Sequence, residues 1–111
     1  EDDSAYALGY LNSRDQAKGT AFQKLETTVG NGNDEWTNVT LHLFDPSNTT
    51  FVKHFLAQTS SCLDGGGSYG IYNLNFFTAG YGNTTSAIDA VQFKMSSGNI
   101  DSGQILLFGL N

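Results

Sequence analysis

Cysteine occurs once in 111 residues, proline once, and lysine and arginine together only five times. Each scarcity removes a class of protein. With Cys62 alone, no intrachain disulfide can form and a thiolate metal site has a single ligand, so Cys62 is expected to be a small buried or loop residue. The five cations, Arg14, Lys18, Lys24, Lys53 and Lys94, form no run, and the net charge is −6 with a pI near 4.4. Such a surface repels a phosphate backbone, which argues against nucleic acid as a partner. No apolar run approaches the roughly 20 residues that cross a bilayer, and no basic stretch leads into a hydrophobic one. The chain therefore reads as soluble, with no membrane partner.

What the sequence does have is 13 glycines and many Asn, Thr and Ser residues. That composition suits short strands joined by tight turns. Ala, Glu, Lys and Arg, which fill helical surfaces, are scarce. The length fits one domain over 1–111, large enough for a single core that buries around two-thirds of the unfolded surface. Residues 1–4, which include the acidic Glu1-Asp2-Asp3, are expected to be a flexible, solvated end.

Alternation of apolar and polar residues predicts the strands. Residues 5–11 place Tyr6, Leu8 and Tyr10 on one face. Residues 12–20 have no apolar stripe and read as a loop. A strand is expected over 22–29, then a turn through Gly30-Asn31-Gly32-Asn33-Asp34-Glu35. Val39, Leu41 and Leu43 then alternate with Thr40, His42 and Phe44 up to Asp45-Pro46-Ser47-Asn48, where proline ends a ladder. Residues 51–59 carry Val52, His54 and Leu56 on one face and Phe51, Lys53, Phe55 and Ala57 on the other. Lys53 is the one charge in that second row. Residues 60–68, with Gly65-Gly66-Gly67, read as a flexible loop. Residues 69–78 set Tyr72, Leu74 and Phe76 against Tyr69, Ile71 and Phe77, and Ala79-Gly80-Tyr81-Gly82-Asn83 reads as a second break.

The last quarter, 88–111, predicts the pair that organises the rest. Val91, Phe93 and Met95 alternate with Ala90, Gln92 and Lys94. After a turn at 96–103, Ile105, Leu106, Leu107 and Phe108 form a run that is apolar on both faces, as in a strand buried between layers. About seven strands and no helix result, which suits an all-β antiparallel sandwich of jelly-roll type.

Several short blocks carry a family resemblance over roughly residues 25–111. They are Val29-Gly30-Asn31, then Val39-Thr40-Leu41-His42-Leu43-Phe44-Asp45-Pro46-Ser47, then Lys53-His54-Phe55, and the closing Ser-Ser-Gly-Asn-Ile-Asp-Ser-Gly-Gln-Ile-Leu-Leu-Phe-Gly. Together they resemble the β-sandwich domain of virion structural proteins of tailed bacteriophages, especially aquatic phages. Asp45 stands where that family usually has asparagine, and Phe108 where it usually has tyrosine. The resemblance implies a jelly-roll-like sandwich in an extracellular particle, as a capsid decoration protein or tail fibre component. It implies partners among other virion proteins and a homo-oligomer, with three-fold symmetry common in such assemblies. It also implies further strands upstream of the segment at Tyr6, so the chain is expected to be a shortened version or to receive strands from a neighbouring subunit. It carries over no catalytic residue and no cofactor.

The residues themselves spell out no chemistry that would make this an enzyme. His42 and His54 lie in predicted strands, outside any two-His metal spacing, and read as structural or interface residues. No G-x-S-x-G elbow occurs, and no P-loop lysine follows the glycines. Asn31, Asn33, Asp34 and Glu35 offer the hard oxygens that calcium prefers, but their spacing departs from an EF-hand and favours a plain turn. No metal or cofactor is expected. Trp36, Tyr69 and Tyr81 lie at or beside loops, where an aromatic face could anchor a protein contact or stack on a sugar.

Three functions follow. The first is a virion structural subunit. The second is a receptor- or carbohydrate-binding module that meets a host-surface glycan through those aromatics. The third is a glycosylated subunit of an extracellular filament, suggested by the Asn-x-Ser/Thr triplets at Asn38, Asn48 and Asn83.

Overall fold

The computed structural model describes residues 9–66 and 70–110. It is all-β with almost no helix: three strands, β1 (Trp36–Leu43), β2 (Lys53–Asp64) and β3 (Ile71–Gly82), form one antiparallel sheet in the order β1-β2-β3. The central strand, β2, is the element about which the sheet is built. Its inward row, Lys53, Phe55, Ala57, Thr59, Ser61 and Leu63, is buried apart from the half-buried Phe55, while its outward row is open or half open.

Pairing fixes which residues share a face, because partners across an antiparallel ladder point the same way. Leu41 lies opposite Ala57, which lies opposite Thr78. The inner face therefore carries Val39, Leu41 and Leu43 from β1, and Tyr72, Leu74 and Phe76 from β3. The outer face carries Trp36, Asn38, Thr40 and His42, then His54, Leu56, Gln58, Ser60 and Cys62, then Ile71, Asn73, Asn75, Phe77, Ala79 and Tyr81. Cys62 is a half-buried strand residue with a free thiol.

Each strand runs further than the alternation predicts at one end. β1 begins at Trp36 and stops at Leu43, short of Phe44, while β2 begins at Lys53, leaving the predicted Phe51 and Val52 in the turn, and continues through the polar Ser60-Ser61-Cys62 to Asp64. Those hydroxyls stay in the ladder because Ser61 finds an acceptor on the inner face, so a polar residue there satisfies its hydrogen bond without leaving the strand. β3 passes through Gly80, placed in a predicted break, because a glycine is needed there. A Cβ at Gly80 would stand 2.7 Å from Cε1 of Phe55, whose ring lies across it. Beyond Asp64 the chain reverses with Gly65 N–H donating to Gly70 O at 2.9 Å, and Gly66 and Gly70 take φ of 64° and 59°, where glycine alone is unstrained. Gly67 of the predicted glycine loop lies outside the described residues.

The β1–β2 connection is a turn organised by Asn48. Its N–H donates to Asp45 O at 3.1 Å, its Oδ1 accepts from the N–H groups of Thr50 (2.6 Å) and Phe51 (2.9 Å), and its Nδ2 donates to Asp45 Oδ2 at 2.7 Å. Asp45 has φ of 46°, a left-handed angle that Asp and Asn tolerate better than other side chains. The Nζ of the buried Lys53 donates to Phe51 O at 2.9 Å and to Asn48 O, closing the same turn from beneath.

Three predicted strands are not in the sheet. Residues 22–29, 88–95 and 104–110 make no ladder, and a sandwich of about seven strands is not formed by the described residues. Alternation marks a segment with two faces but does not supply a neighbouring edge. The pair at 88–111 is consequently not the centre of the fold: Ile105, Leu106, Leu107 and Phe108 are 67, 63, 95 and 75% exposed. A run apolar on both faces requires cover on both, and the described residues leave both largely open. Residues 5–8 of the first predicted strand, 5–11, and the solvated end at 1–4 lie outside the described set, and residues 9–11 make no ladder. Tyr10 is open to solvent, and residues 12–20, predicted as a loop, hold one 3-10 turn at Asn12–Arg14.

Segments without ladders still attach to the sheet. Leu25 and Glu26 lie against its inner face and Ile88 N–H donates to Pro46 O, in the β1–β2 turn, at 2.9 Å, while Lys94 Nζ, 4.3 Å from the centre of the Phe22 ring, ties two of these segments to each other. Among hydrophobic side chains in the described residues, only Ala57 and Leu63 are buried.

Candidate interaction surface

The inner face holds a polar network that ties the 22–29 segment to β2. Glu26 Oε2 accepts from Ser61 Oγ at 2.7 Å and Thr59 Oγ1 at 3.1 Å, while its Oε1 accepts from the N–H groups of Thr27 (2.6 Å) and Thr28 (3.3 Å). Thr37 Oγ1 lies 3.0 Å from Ser61 Oγ, which extends the chain of hydroxyls to β1. Sequence reasoning missed this network. Thr37, Thr59 and Ser61 share an inner-face phase with Leu41 and Ala57, which was a readable signal. Nothing local points to Glu26 as their acceptor. The network places a serine beside a carboxylate, but both imidazoles lie on the opposite face of the sheet, so no Ser-His-acid array is assembled among the described residues.

A second acidic anchor sits at the far end of the sheet. Glu35 Oε1 accepts from Asp64 N–H at 2.8 Å, and Oε2 accepts from Gly32 N–H. These amides, Asp64 first, hold its carboxyl below the ordinary glutamate range. The Gly30–Glu35 turn is thus fastened to the end of β2 by the carboxylate that the calcium reading would have used as a ligand. No group of three or more His, Cys, Asp or Glu in a metal-holding arrangement occurs among the described residues.

Of the three aromatic contact residues predicted, Tyr69 lies outside the described residues. Trp36 and Tyr81 both stand on the outer face, 48 and 61% exposed. They are not brought together. Trp36 is registered with Cys62 and Tyr81 with His54, eight positions apart on β2, or roughly 27 Å at about 3.4 Å per residue. Tyr81 instead meets His54, ring centres 6.0 Å apart, near His42, which packs against Phe44 at 6.4 Å. With Leu56 and Phe77, these side chains make an open aromatic and imidazole patch at one end of the outer face.

The other apolar feature is a groove of about 530 Å³ beside the end of β1, lined mainly by Leu43, Pro46, Val91, Phe93, Ile105 and Leu107. No helix among the described residues is long and apolar enough to cross a membrane.

The described residues offer broad apolar surface and bring together no focused constellation of acids, bases and nucleophiles. Comparison of the chain with protein-family models, curated proteins and solved structures finds no match.

Proposed function

We propose that the chain is an accessory structural protein of a tailed-bacteriophage virion, docking on other virion proteins as a capsid decoration or fibre component. The observation that carries this reading is the uncovered apolar surface. The chain exposes 9467 Å², against roughly 6,000 Å² for a folded monomer of its 11.9 kDa mass. Excess of about 3,500 Å² is on the scale of an obligate protein interface. Exposed side chains such as Val91, Ile105, Leu106, Leu107 and Phe108 make much of it apolar, and large exposed apolar surface marks association sites. The sequence blocks at 29–31, 39–47, 53–55 and 96–109 supply the virion half of the proposal, since they resemble the phage family's pattern. In the assembled particle, residues 22–29, 88–95 and 104–110 take ladder partners, and the three-stranded sheet becomes one layer of a jelly-roll-like sandwich.

Co-sedimentation tests this. Purified chain added to particles of its own phage, stripped of it beforehand, is expected to pellet with them in saturable amount. Failure to pellet, with the chain folded, would remove the virion reading.

A carbohydrate-binding reading draws on Trp36 and Tyr81, the exposed aromatic side chains of the outer face that could stack on a sugar. It requires one ring to serve alone, because the two stand at opposite ends of the sheet. A glycan array without hits removes it.

A further inference from the structure

We infer that residues 104–110 are a donor strand, which pairs with the free edge of β3 in a second copy of this chain. The inference stands apart from the virion reading and concerns how copies associate.

The acceptor is unusual for an exposed edge. β3 is a border strand of twelve residues, Ile71–Gly82, and contains no charged residue and no proline. Border strands in soluble proteins are ordinarily short, charged, bulged or covered, because an open row of N–H and C=O groups recruits other strands. β3 is also apolar on both faces near its middle, with Phe76 inward and Phe77 outward. The opposite border differs. β1 has eight residues, its outer row past Trp36 is polar (Asn38, Thr40 and His42), and it is flanked by Asp34-Glu35 and Asp45-Pro46.

The donor has the complementary character. Residues 104–110 carry no charge and place Ile105, Leu106, Leu107 and Phe108 in succession, so as a strand they offer apolar side chains to both faces at once. Each is more than 60% exposed and none belongs to a ladder. Within its own chain the segment cannot be the neighbour of β3 as it stands, because Ile105 and Leu107 line the groove at Leu43, on the β1 side of the sheet. One chain therefore carries both an acceptor edge and a two-faced donor, each without a ladder partner among the described residues. A second copy satisfies both without invoking any other molecule, and the excess exposed area matches what a stable obligate association buries. Donation from copy to copy closes into a ring where the rotation permits.

Hydrogen exchange on the full chain, followed with concentration, tests the pairing. In the associated state, amides of 104–110 and of β3 are expected to slow together by at least about tenfold relative to the dilute chain, while those of β1 do not change. Leu107→Asp places a charge on the donor at a 95% exposed position, so the sheet is expected to keep its circular dichroism while light scattering reports a monomer. Phe77→Lys, on the acceptor, should act alike. Association with 104–110 still exchanging freely, or an associated Leu107→Asp chain, would overturn the donor-strand assignment, as would a wild-type chain that never associates. None of these results depends on whether phage particles bind the chain.

Discussion

At the residue scale, the sheet's tightest steric position is Gly80. The Phe55 ring lies where a Cβ would project, 2.7 and 2.8 Å from Cε1 and Cζ, so Gly80→Ala displaces an inward-facing ring. A loss of about 1 to 3 kcal/mol is expected in urea unfolding, as for other overpacked sites. Combining it with Phe55→Leu should recover part of the loss, since the two side chains are in contact. Ser61 is the most enclosed polar residue, at 0% exposure, and its hydroxyl serves Glu26 and Thr37 together. Ser61→Ala should cost about 1 to 3 kcal/mol by leaving those groups short of a partner. Glu35 gives a pH signature. Its folded carboxyl titrates below the unfolded one, so the stabilisation is complete above the ordinary glutamate range and disappears as pH falls through the lowered folded value. Wild type should therefore exceed Glu35→Gln in stability at neutral pH, and the gap should close on acidification; a gap that persists in acid would contradict the amide clamp.

At the element scale, the three strands were legible and their ends were not. Alternation in β1 and β2 assigns each residue to its observed face, and Tyr72, Leu74 and Phe76 are likewise opposite Ile71 and Phe77 in β3. The ends were lost where side chains satisfied one another across the chain. Ser60-Ser61-Cys62 has loop composition until Glu26 is placed beside Ser61, and Gly80 looks like a break until Phe55 is laid over it. The segment at 104–110 shows the opposite error. Its apolar run announces burial, but a single chain's pattern does not say whose surface buries it. Leu107→Ala in the isolated, dilute chain should consequently change unfolding free energy by no more than about 0.5 kcal/mol, as for an exposed side chain. A loss of several kcal/mol would return 104–110 to a buried position within its own chain.

At the scale of the whole molecule, the chain is more open than its length requires. Its radius of gyration is 16.1 Å, against roughly 13 Å for a compact chain of this size. The core in the described residues reduces to β2 and what lies directly on it, while most apolar side chains of residues 88–110 are exposed, Ile88 and Met95 being half-buried. None of the proposed interaction surface could be placed from sequence alone, because Trp36 and Tyr81 are sequence neighbours of loops but lie at opposite ends of one sheet face. The central claim is that this chain completes its fold by association. The molar mass of the purified chain by light scattering, over a range of concentrations, tests it most directly. The account predicts an integral multiple of 11.9 kDa that falls toward the monomer on dilution. A folded monomer of 11.9 kDa at every concentration would contradict it.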